Sequence, residues 1–206
     1  MGDLIEGMLV RALDALKGND LSMLADISML EGRVDRIQHE IKLYVSRVGK
    51  DDMTEDHHRR ARHIVDYAIN LEHIGDIIEK GLHPEIAKKI SLGLRFSEDG
   101  QGELVRLFAI TLDNMRMAQA VFATGDAELA RRLVEVKEEV RRLEKQSAEC
   151  HLQRLREGRL DSMQTSSLHL DMLRDLKRIN AHVASVAHPI LDDSGLLIES
   201  RIRQPV

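Results

Sequence analysis

The feature that most constrains the fold of this chain is an apolar stripe that recurs every three or four residues over residues 24–48. The stripe consists of Leu24, Ile27, Leu30, Val34, Ile37, Ile41, Tyr44 and Val48. Side chains at this spacing lie on one face of a helix. The stripe predicts a long second helix, which Asp20 or Ser22 can cap and which ends near Gly49.

The other predicted helices follow from the same periodicity and form two sets of three. In the first set, the stripe helix lies between a helix over residues 3–17 and one over residues 54–81. The second set has a helix over residues 103–123, a long helix that ends at Gly158 and a last helix over residues 161–188. Three prolines, two tyrosines, three phenylalanines and no tryptophan favour aliphatic helix packing over a sheet. We therefore expect an all-α protein of six helices.

The two sets resemble each other in residues as well as in length, at an offset of 105 or 106. Asn19-Asp20 corresponds to Gly125-Asp126, and Ile37 corresponds to Leu143. This predicts two tandem three-helix bundles related by a pseudo-twofold axis. The predicted organisation is a first repeat over 1–82, a connector with a short helix over 83–102, a second repeat over 103–190 and a tail over 191–206.

Pairs of acidic residues four positions apart are the main candidates for a functional site. The pairs are Glu31 with Asp35, Glu72 with Asp76, and Asp171 with Asp175. Four-residue spacing stacks both carboxylates on one helix face, where they repel each other. A bound cation, basic partners on a neighbouring helix or exposure to water would each relieve the repulsion, and the spacing leaves these three alternatives open.

Metal binding by the first-half pairs would use oxygen ligands, which suit Fe, Mn, Mg or Ca. A nearby histidine would move the preference toward Fe, Mn or Zn, and the candidate histidines are His39, His83 and His182. Gly75 lies inside the third predicted helix at a cost of about 1 kcal/mol relative to Ala, which indicates a close helix approach. The single cysteine, Cys150, excludes a multi-cysteine metal site.

Other functional classes find little support in the sequence. The formal charge of −5 gives no reason to expect a nucleic acid partner. The sequence contains neither a phosphate-binding glycine loop nor a persuasive catalytic serine or cysteine, so we expect no catalytic residues. No apolar run approaches the roughly 20 residues that cross a bilayer, so we expect a cytoplasmic protein.

Residues 71–76 read Leu-Glu-His-Ile-Gly-Asp and resemble the Leu-Glu-Arg-Ile-Gly-Asp motif of PhoU domains. The helix-two run that contains Val34-Asp35-Arg36-Ile37 resembles the same family, and the resemblance covers residues 6–190. Residues 167–182 resemble the subgroup that is fused to the cytoplasmic end of sodium/phosphate cotransporters. We identify the chain as a member of the PhoU-like family on these motifs.

The resemblance implies a multinuclear site of Fe, Zn or Mn that is held by paired acidic motifs on adjacent helices. The implied ligands are Glu31, Asp35, Glu72 and Asp76 in the first half and Asp171 and Asp175 in the second half. Glu135 and Glu139 are the only partners that the second long helix offers, so a second cluster is doubtful.

The resemblance also implies a regulatory role rather than substrate turnover. The implied partner is a membrane phosphate transporter or a transporter half of the same polypeptide, at the inner face of the membrane; a homodimer is a further expectation. One alternative is a carboxylate-bridged di-metal enzyme, which needs a Glu-x-x-His motif on each of two helices, and this chain does not supply two. The other alternative is a metal-free helical module that only binds proteins.

Overall fold

The computed structural model describes residues 1–48 and 54–196, and all regular secondary structure in these ranges is helical. The α-helices are α1 (Gly2–Gly18), α2 (Ile27–Val48), α3 (Glu55–Ile77), α4 (His83–Ser91), α5 (Glu98–Thr124), α6 (Ala127–Arg156), α7 (Leu160–Gln164), α8 (Ser166–Ala184) and α9 (Ala187–Asp193). The predicted all-α class is confirmed. The six predicted helices correspond to α1, α2, α3, α5, α6 and α8, whereas α4 lies where a short connector helix was predicted.

Equivalent caps end the first helix of each set. Asn19 follows α1 with φ 54°, and Gly125 follows α5 with φ 67°, so both residues adopt the left-handed conformation that ends helices. The Asp126 carboxylate accepts hydrogen bonds from the backbone of Glu128 and Leu129 and caps α6. Asp20 instead caps a 3₁₀ turn over Leu21–Leu24, so its predicted role as the cap of the second long helix is wrong.

The third predicted helix does not end at Gly81. A π-helical turn over Ile78–Leu82 joins α3 directly to α4, and Pro84 lies in the first turn of α4. A proline is tolerated there because its missing N–H and fixed φ suit the start of a helix. The π turn before Pro84 is wider than an α-helical turn, so the helical path can continue from α3 into α4.

The last predicted helix is divided into α7, α8 and α9. Thr165 separates α7 from α8, and its hydroxyl donates to the backbone carbonyl of Asp161. The predicted helix end near Gly49, and the part of the predicted tail beyond residue 196, lie outside the described residues. None of the helices in the described ranges has the length and apolar character to span a bilayer.

The two sets of helices meet where α3 packs against α8 and where α1 packs against α5, and the core runs through both contacts. α1 and α2 complete the packing around α3, and α5 and α6 complete it around α8. Fully or nearly fully buried aliphatic and aromatic side chains from both sets form one continuous cluster, among them Leu9, Ile74, Phe108, Met172 and Leu176. This packing fixes the faces of α3 and α8 that carry the acidic residues.

Candidate acidic site between α2 and α3

Four carboxylates meet where α2 passes α3, and we name them the first acidic cluster: Glu31, Asp35, Asp76 and Glu79. Carboxylate oxygens of Glu31, Asp76 and Glu79 lie within 4.8 Å of one another. Asp35 follows Glu31 by one turn of α2 and acts on it through charge and a side-chain hydrogen bond. Carboxylates this close need a cation or protons to offset their repulsion.

Gly75 allows the helices to approach closely beside this cluster. A β carbon at Gly75 would lie 3.3 Å from Ile5 Cδ1 and 3.8 Å from both Glu31 Cγ and Val34 Cγ1. α1 and α2 therefore both pack against the same point of α3. The absence of a side chain at Gly75 lets the stem of Glu31 lie beside the α3 backbone.

Glu31 is the most perturbed member of the first acidic cluster. Its side chain lies on a core-facing position of α2, and the residue is only 8% exposed. Burial raises the pKa of Glu31 to about 7, and the charges of Asp35, Glu79 and Asp76 act in the same direction. A bound cation would favour the ionised form and replace the missing solvation.

Lys80 is the basic side chain that contacts this cluster. Lys80 follows Asp76 by one helical turn, and its Nζ donates a hydrogen bond to Asp76 Oδ1 over 2.6 Å. This hydrogen bond raises the pKa of Lys80, and the charges of Asp76, Glu31 and Glu79 act in the same direction. Lys80 is exposed, so it offsets the charge only from the solvent side of the cluster.

A cavity of about 540 Å³ lies between α3 and α8, next to the first acidic cluster. We name it the inter-repeat cavity; its lining comprises His73, Asp76, Ile77, Lys80, Gly81, Glu85, Asp171, Arg174, Asp175, Arg178 and His182. Asp76 therefore belongs to both the cluster and the cavity. The cavity brings the second-half acidic pair into the same region as the first-half pairs.

Arginines of α8 neutralise the acidic pair in this cavity. Arg174 Nη2 lies 2.8 Å from Asp171 Oδ1, and Arg178 Nη1 donates to Asp175 Oδ1 over 3.0 Å. Asp175 is buried and Asp171 is half-buried. Of the three alternatives that the spacing left open, basic partners are observed here, but both arginines lie on α8 itself and not on a neighbouring helix.

A profile of the PhoU domain family matches residues 1–82 and 104–190 of this chain. The chain belongs to the PhoU domain family. The match covers both helical sets and confirms the resemblance that the sequence motifs indicated. The chain is also 38% identical over 194 residues to the "Putative inorganic phosphate export protein YjbB" of Salmonella typhimurium and 35% identical to the Escherichia coli K12 protein of the same name.

The alignments with these relatives cover 93% of the chain and 35% of each relative. The chain thus spans about a third of the length of the curated relatives that it matches. Among solved structures, PhoU from Pseudomonas aeruginosa superimposes with a TM-score of 0.85 at 21% identity, covering 93% of this chain and 90% of that one. PhoU from Streptococcus pneumoniae gives a TM-score of 0.80 at 19% identity, covering 97% and 92%. Both likenesses show the PhoU fold.

Of the four first-half residues that the PhoU resemblance implied, Glu31 and Asp76 belong to the close three-carboxylate group, and Glu72 and Asp35 do not. Glu72 is half-buried, and its Oε2 lies 3.7 Å from Nε2 of the exposed His73. The three-carboxylate group found in the described residues contains Glu79 instead. The sequence analysis did not include Glu79 among the candidate residues, although its spacing of three residues from Asp76 places both on one helix face.

The candidate histidines lie at the edges of this region. His182 lines the inter-repeat cavity, its Nδ1 lies 2.9 Å from Asn70 Oδ1, and its ring meets that of His73 edge to face at 5.0 Å. Burial lowers the pKa of His182, and the charges of His73 and Arg178 act in the same direction. The three-carboxylate group in the described residues includes neither His39, which is exposed on α2, nor His83, which begins α4.

The second half has no matching acidic group among the residues that the structure describes. Glu135 and Glu139 are exposed on α6, and Glu135 pairs with Arg131 of the same helix. The polar contacts between α6 and α8 instead include an ion pair, with Lys177 Nζ 2.7 Å from Glu144 Oε1, and a hydrogen bond between His151 and Ser166. The two repeats therefore share a fold but differ in the residues at corresponding helix faces.

Proposed function

We propose that this PhoU domain binds a metal ion at the first acidic cluster and regulates a phosphate-transporting membrane protein. The observation that carries the metal site is the group formed by Glu31, Asp76 and Glu79, whose oxygens lie within 4.8 Å of one another around the buried Glu31. This donor set is made of hard carboxylate oxygens and fits Fe, Mn or Mg better than a soft-ligand metal.

In this proposal Glu31, Asp76 and Glu79 hold the metal, and Asp35 adds negative charge one turn away. The metal supplies positive charge, which keeps Glu31 ionised and ties α2 to α3. Lys80 competes for Asp76, because its Nζ donates to the same carboxylate. Zn or a multinuclear arrangement stays an expectation from the family resemblance.

Metal counting tests the site. We would purify the chain without chelators or a histidine tag and measure bound Fe, Mn, Mg and Zn by mass spectrometry. Wild type is expected to retain metal, and Glu31→Gln with Asp76→Asn to lose it. Glu135→Gln with Glu139→Gln is the matched control. It removes the same number of carboxylates, but from exposed positions outside the first acidic cluster. No metal after reconstitution with each ion, or equal metal in all variants, would exclude the site.

The proposed partner follows from the curated relatives. The relatives named for inorganic phosphate export match 93% of this chain, and the chain matches 35% of their length. We infer that this domain acts together with a membrane transporter of that kind, at its cytoplasmic face. Coupling of the transporter to sodium stays a prediction. The domain's role is regulation through a helical surface, with no substrate turnover of its own.

Exchange of the matching segment tests this role. The chain would replace the corresponding 194-residue portion of the Salmonella typhimurium relative, and phosphate release from cells would be measured. The exchange is expected to preserve regulated release. Glu31→Gln with Asp76→Asn is expected to change release by about fivefold, within the usual range of coupling between sites. If the exchanged protein and a protein that lacks the segment release phosphate equally, the regulatory role is wrong.

The metal-free interaction module is the alternative that these experiments separate. It predicts that the exchanged protein is functional and that Glu31→Gln with Asp76→Asn leaves release unchanged. The di-metal enzyme has less support, because the region of the acidic cluster carries lysine and arginine partners and the three-carboxylate group contains no histidine.

A further inference from the structure

Two histidines from different repeats meet at the wall of the inter-repeat cavity. His73 lies on α3 and His182 lies on α8, and their ring centroids are 5.0 Å apart with the ring planes inclined at 65°. Both residues line the cavity. Imidazole nitrogen suits zinc, copper and nickel, whereas the first acidic cluster offers oxygen ligands alone. The histidine pair therefore has a different metal chemistry, on the same helix as Asp76.

The hydrogen bonds around His182 determine which of its ring nitrogens carries a proton. The side-chain amide of Asn70 donates to the backbone carbonyl of Asp66 over 2.8 Å, so Asn70 Oδ1 faces His182 Nδ1 at 2.9 Å. An amide oxygen only accepts hydrogen bonds, so Nδ1 is the donor. Neutral His182 therefore keeps a lone pair on Nε2. Metal-binding histidines have this arrangement, in which one nitrogen donates to an oxygen and the other binds the ion.

His73 has a similar polar neighbour. Its Nε2 lies 3.7 Å from Glu72 Oε2, which leaves Nδ1 for another contact. The His73 side chain is 49% exposed, so its ring can change rotamer without disturbing the core. Carboxylates commonly hold the outer nitrogen of a metal-binding histidine. Glu72, which lies outside the close three-carboxylate group, can serve that purpose for His73.

The separation of the two rings matches that of histidines that bind the same ion. With a zinc–nitrogen distance of about 2.0–2.1 Å and a ring centre about 1.1 Å behind the nitrogen, each centroid lies about 3.2 Å from the ion. At a tetrahedral angle, two such centroids are about 5 Å apart. Edge-to-face packing of two neutral rings gives the same separation. Binding itself is therefore the measurement that distinguishes the two interpretations.

The charges around the histidine pair favour a cation. The lining of the inter-repeat cavity contains four carboxylates and three permanently cationic side chains. One of the cations, Arg178, already donates to Asp175 over 3.0 Å. Glu85 Oε2 is buried and has no hydrogen-bond partner in the part of the chain that the structure describes. Burial also lowers the pKa of His182, which favours the neutral form that binds metal.

We propose that His73 and His182 bind one Zn²⁺ ion across the two repeats, with water completing its coordination. The ion joins α3 to α8, and Asn70 and Glu72 hold the two ligands from behind. Two protein ligands leave coordination positions that open into the inter-repeat cavity. The site is independent of the first acidic cluster, whose carboxylates prefer harder ions, and of the proposed function.

Nitrogen NMR of the full chain tests the site directly. The chain would carry Cys150→Ser, which removes an exposed thiol that could compete for zinc. It would also carry Glu31→Gln with Glu79→Gln, which disables the first acidic cluster without changing the cavity lining. Addition of Zn²⁺ alone is expected to shift the signals of His182 Nε2 and His73 Nδ1, with saturation at one ion per chain. A shift only at other histidines, or at none, would overturn the proposal.

Equilibrium dialysis of Zn²⁺ in the same background measures the contribution of each residue. His182→Asn and His73→Arg are each expected to weaken zinc binding by about a hundredfold, and Asn70→Ala by about tenfold. His39→Asn with His57→Asn changes two exposed histidines and is the matched control, with unchanged zinc binding. Equal zinc affinity of His73→Arg and its parent would overturn the proposal.

Manganese binding separates this proposal from the proposed function. In the chain with an intact first acidic cluster, His73→Arg is expected to leave Mn²⁺ binding unchanged. Loss of zinc binding alone in this variant supports the histidine site, whatever the outcome of metal counting at the acidic cluster. Loss of both ions together would show a single shared site and would overturn the proposal.

Discussion

Gly81, in the π turn that follows α3, lies directly against the carboxylate of Asp175 in α8. A β carbon at Gly81 would lie 2.2 Å from Asp175 Oδ2 and 3.1 Å from Asp175 Cγ. The two repeats therefore meet at a point where one residue has no side chain and the other is a buried acid. Arg178 holds the acid from the opposite side.

Gly81→Ala is expected to destabilise the chain by about 1–3 kcal/mol, because Asp175 must move away from Arg178 to make room. Chemical denaturation measures the change. Gly102→Ala is the matched control, since no atom lies within 4 Å of a β carbon at that exposed helical position. Asp175→Ala in the Gly81→Ala background should cost less than Asp175→Ala alone. Additive effects of the two substitutions would contradict the contact.

The sign of the effect of Glu31→Gln on the free energy of unfolding is expected to depend on whether metal is bound. In chelated protein the substitution removes a buried like charge from the first acidic cluster and should raise the free energy of unfolding by about 1 kcal/mol. With Mn²⁺ or Fe²⁺ present, wild type should become the more stable protein, because only wild type gains binding energy. Denaturation with and without metal gives both values. The same ranking in both conditions would count against a cation at Glu31.

Arg154 makes a buried bidentate ion pair with Glu103. Loss of the arginine should lower the free energy of unfolding strongly. Arg154→Ala is expected to cost about 3 kcal/mol, because the Glu103 carboxylate loses both hydrogen bonds from arginine and keeps only its contact with His169. Arg131→Ala is the control on the same helix; Arg131 also contacts two glutamates but is exposed, and its loss should change the unfolding midpoint little.

Replacing both members of the buried pair should recover much of the lost stability. Arg154→Leu with Glu103→Leu leaves apolar groups, as Val48 provides at the corresponding place in α2. Denaturation of the two single variants and the double variant measures the coupling. A double variant as unstable as Arg154→Ala would show that the charges themselves are needed.

His151 is expected to make the chain sensitive to acid. The residue is 1% exposed, and burial lowers its pKa to about 4, with the charges of His169 and Arg154 acting in the same direction and that of Glu103 opposing them. Between pH 4 and 6.5 the unfolded chain therefore binds more protons than the folded chain. The contribution of neutral, buried His151 to stability is fully present above pH 6.5 and is lost as the pH falls toward 4. The loss should reach about 2–3 kcal/mol.

The measurement is the free energy of unfolding as a function of pH between 4 and 7. His151→Asn should flatten the curve in this window, whereas His39→Asn, at an exposed position of α2, should leave its slope unchanged. Glu103 also makes the folded chain less stable as the pH falls, but at lower pH than His151. Its contacts with His169 and Arg154 outweigh the effect of burial and lower its pKa. An unchanged slope in His151→Asn would contradict the assignment.

Periodicity and caps could be predicted from the sequence because they depend on neighbours along the chain. The stripe through Ile27 and Val34 sets the buried face of α2, and Asn19 and Gly125 end their helices by local backbone conformation. The end that the sequence analysis predicted near Gly81 is wrong, because neighbours along the chain do not show that the helical path continues past Pro84. A proline usually ends a helix, but a π turn immediately before it lets the helical path continue.

The candidate site could be predicted only in part. Spacing within one helix identified Glu31 and Asp76 as acids on single faces, and family motifs supported them. The three-carboxylate group contains Glu79 and not Glu72, and this depends on how α2 crosses α3. The pairing of Asp171 and Asp175 with arginines depends on side-chain directions on α8.

The sequence by itself determined the helical class, the repeat and the acids that each helix presents, since these follow from propensity and from a period of 3.6 residues. Only the tertiary structure decided that Gly81 meets Asp175 and that Glu79 joins Glu31. Those relationships depend on distances between residues that are far apart in the chain. Packing sets such distances, and local sequence does not encode them.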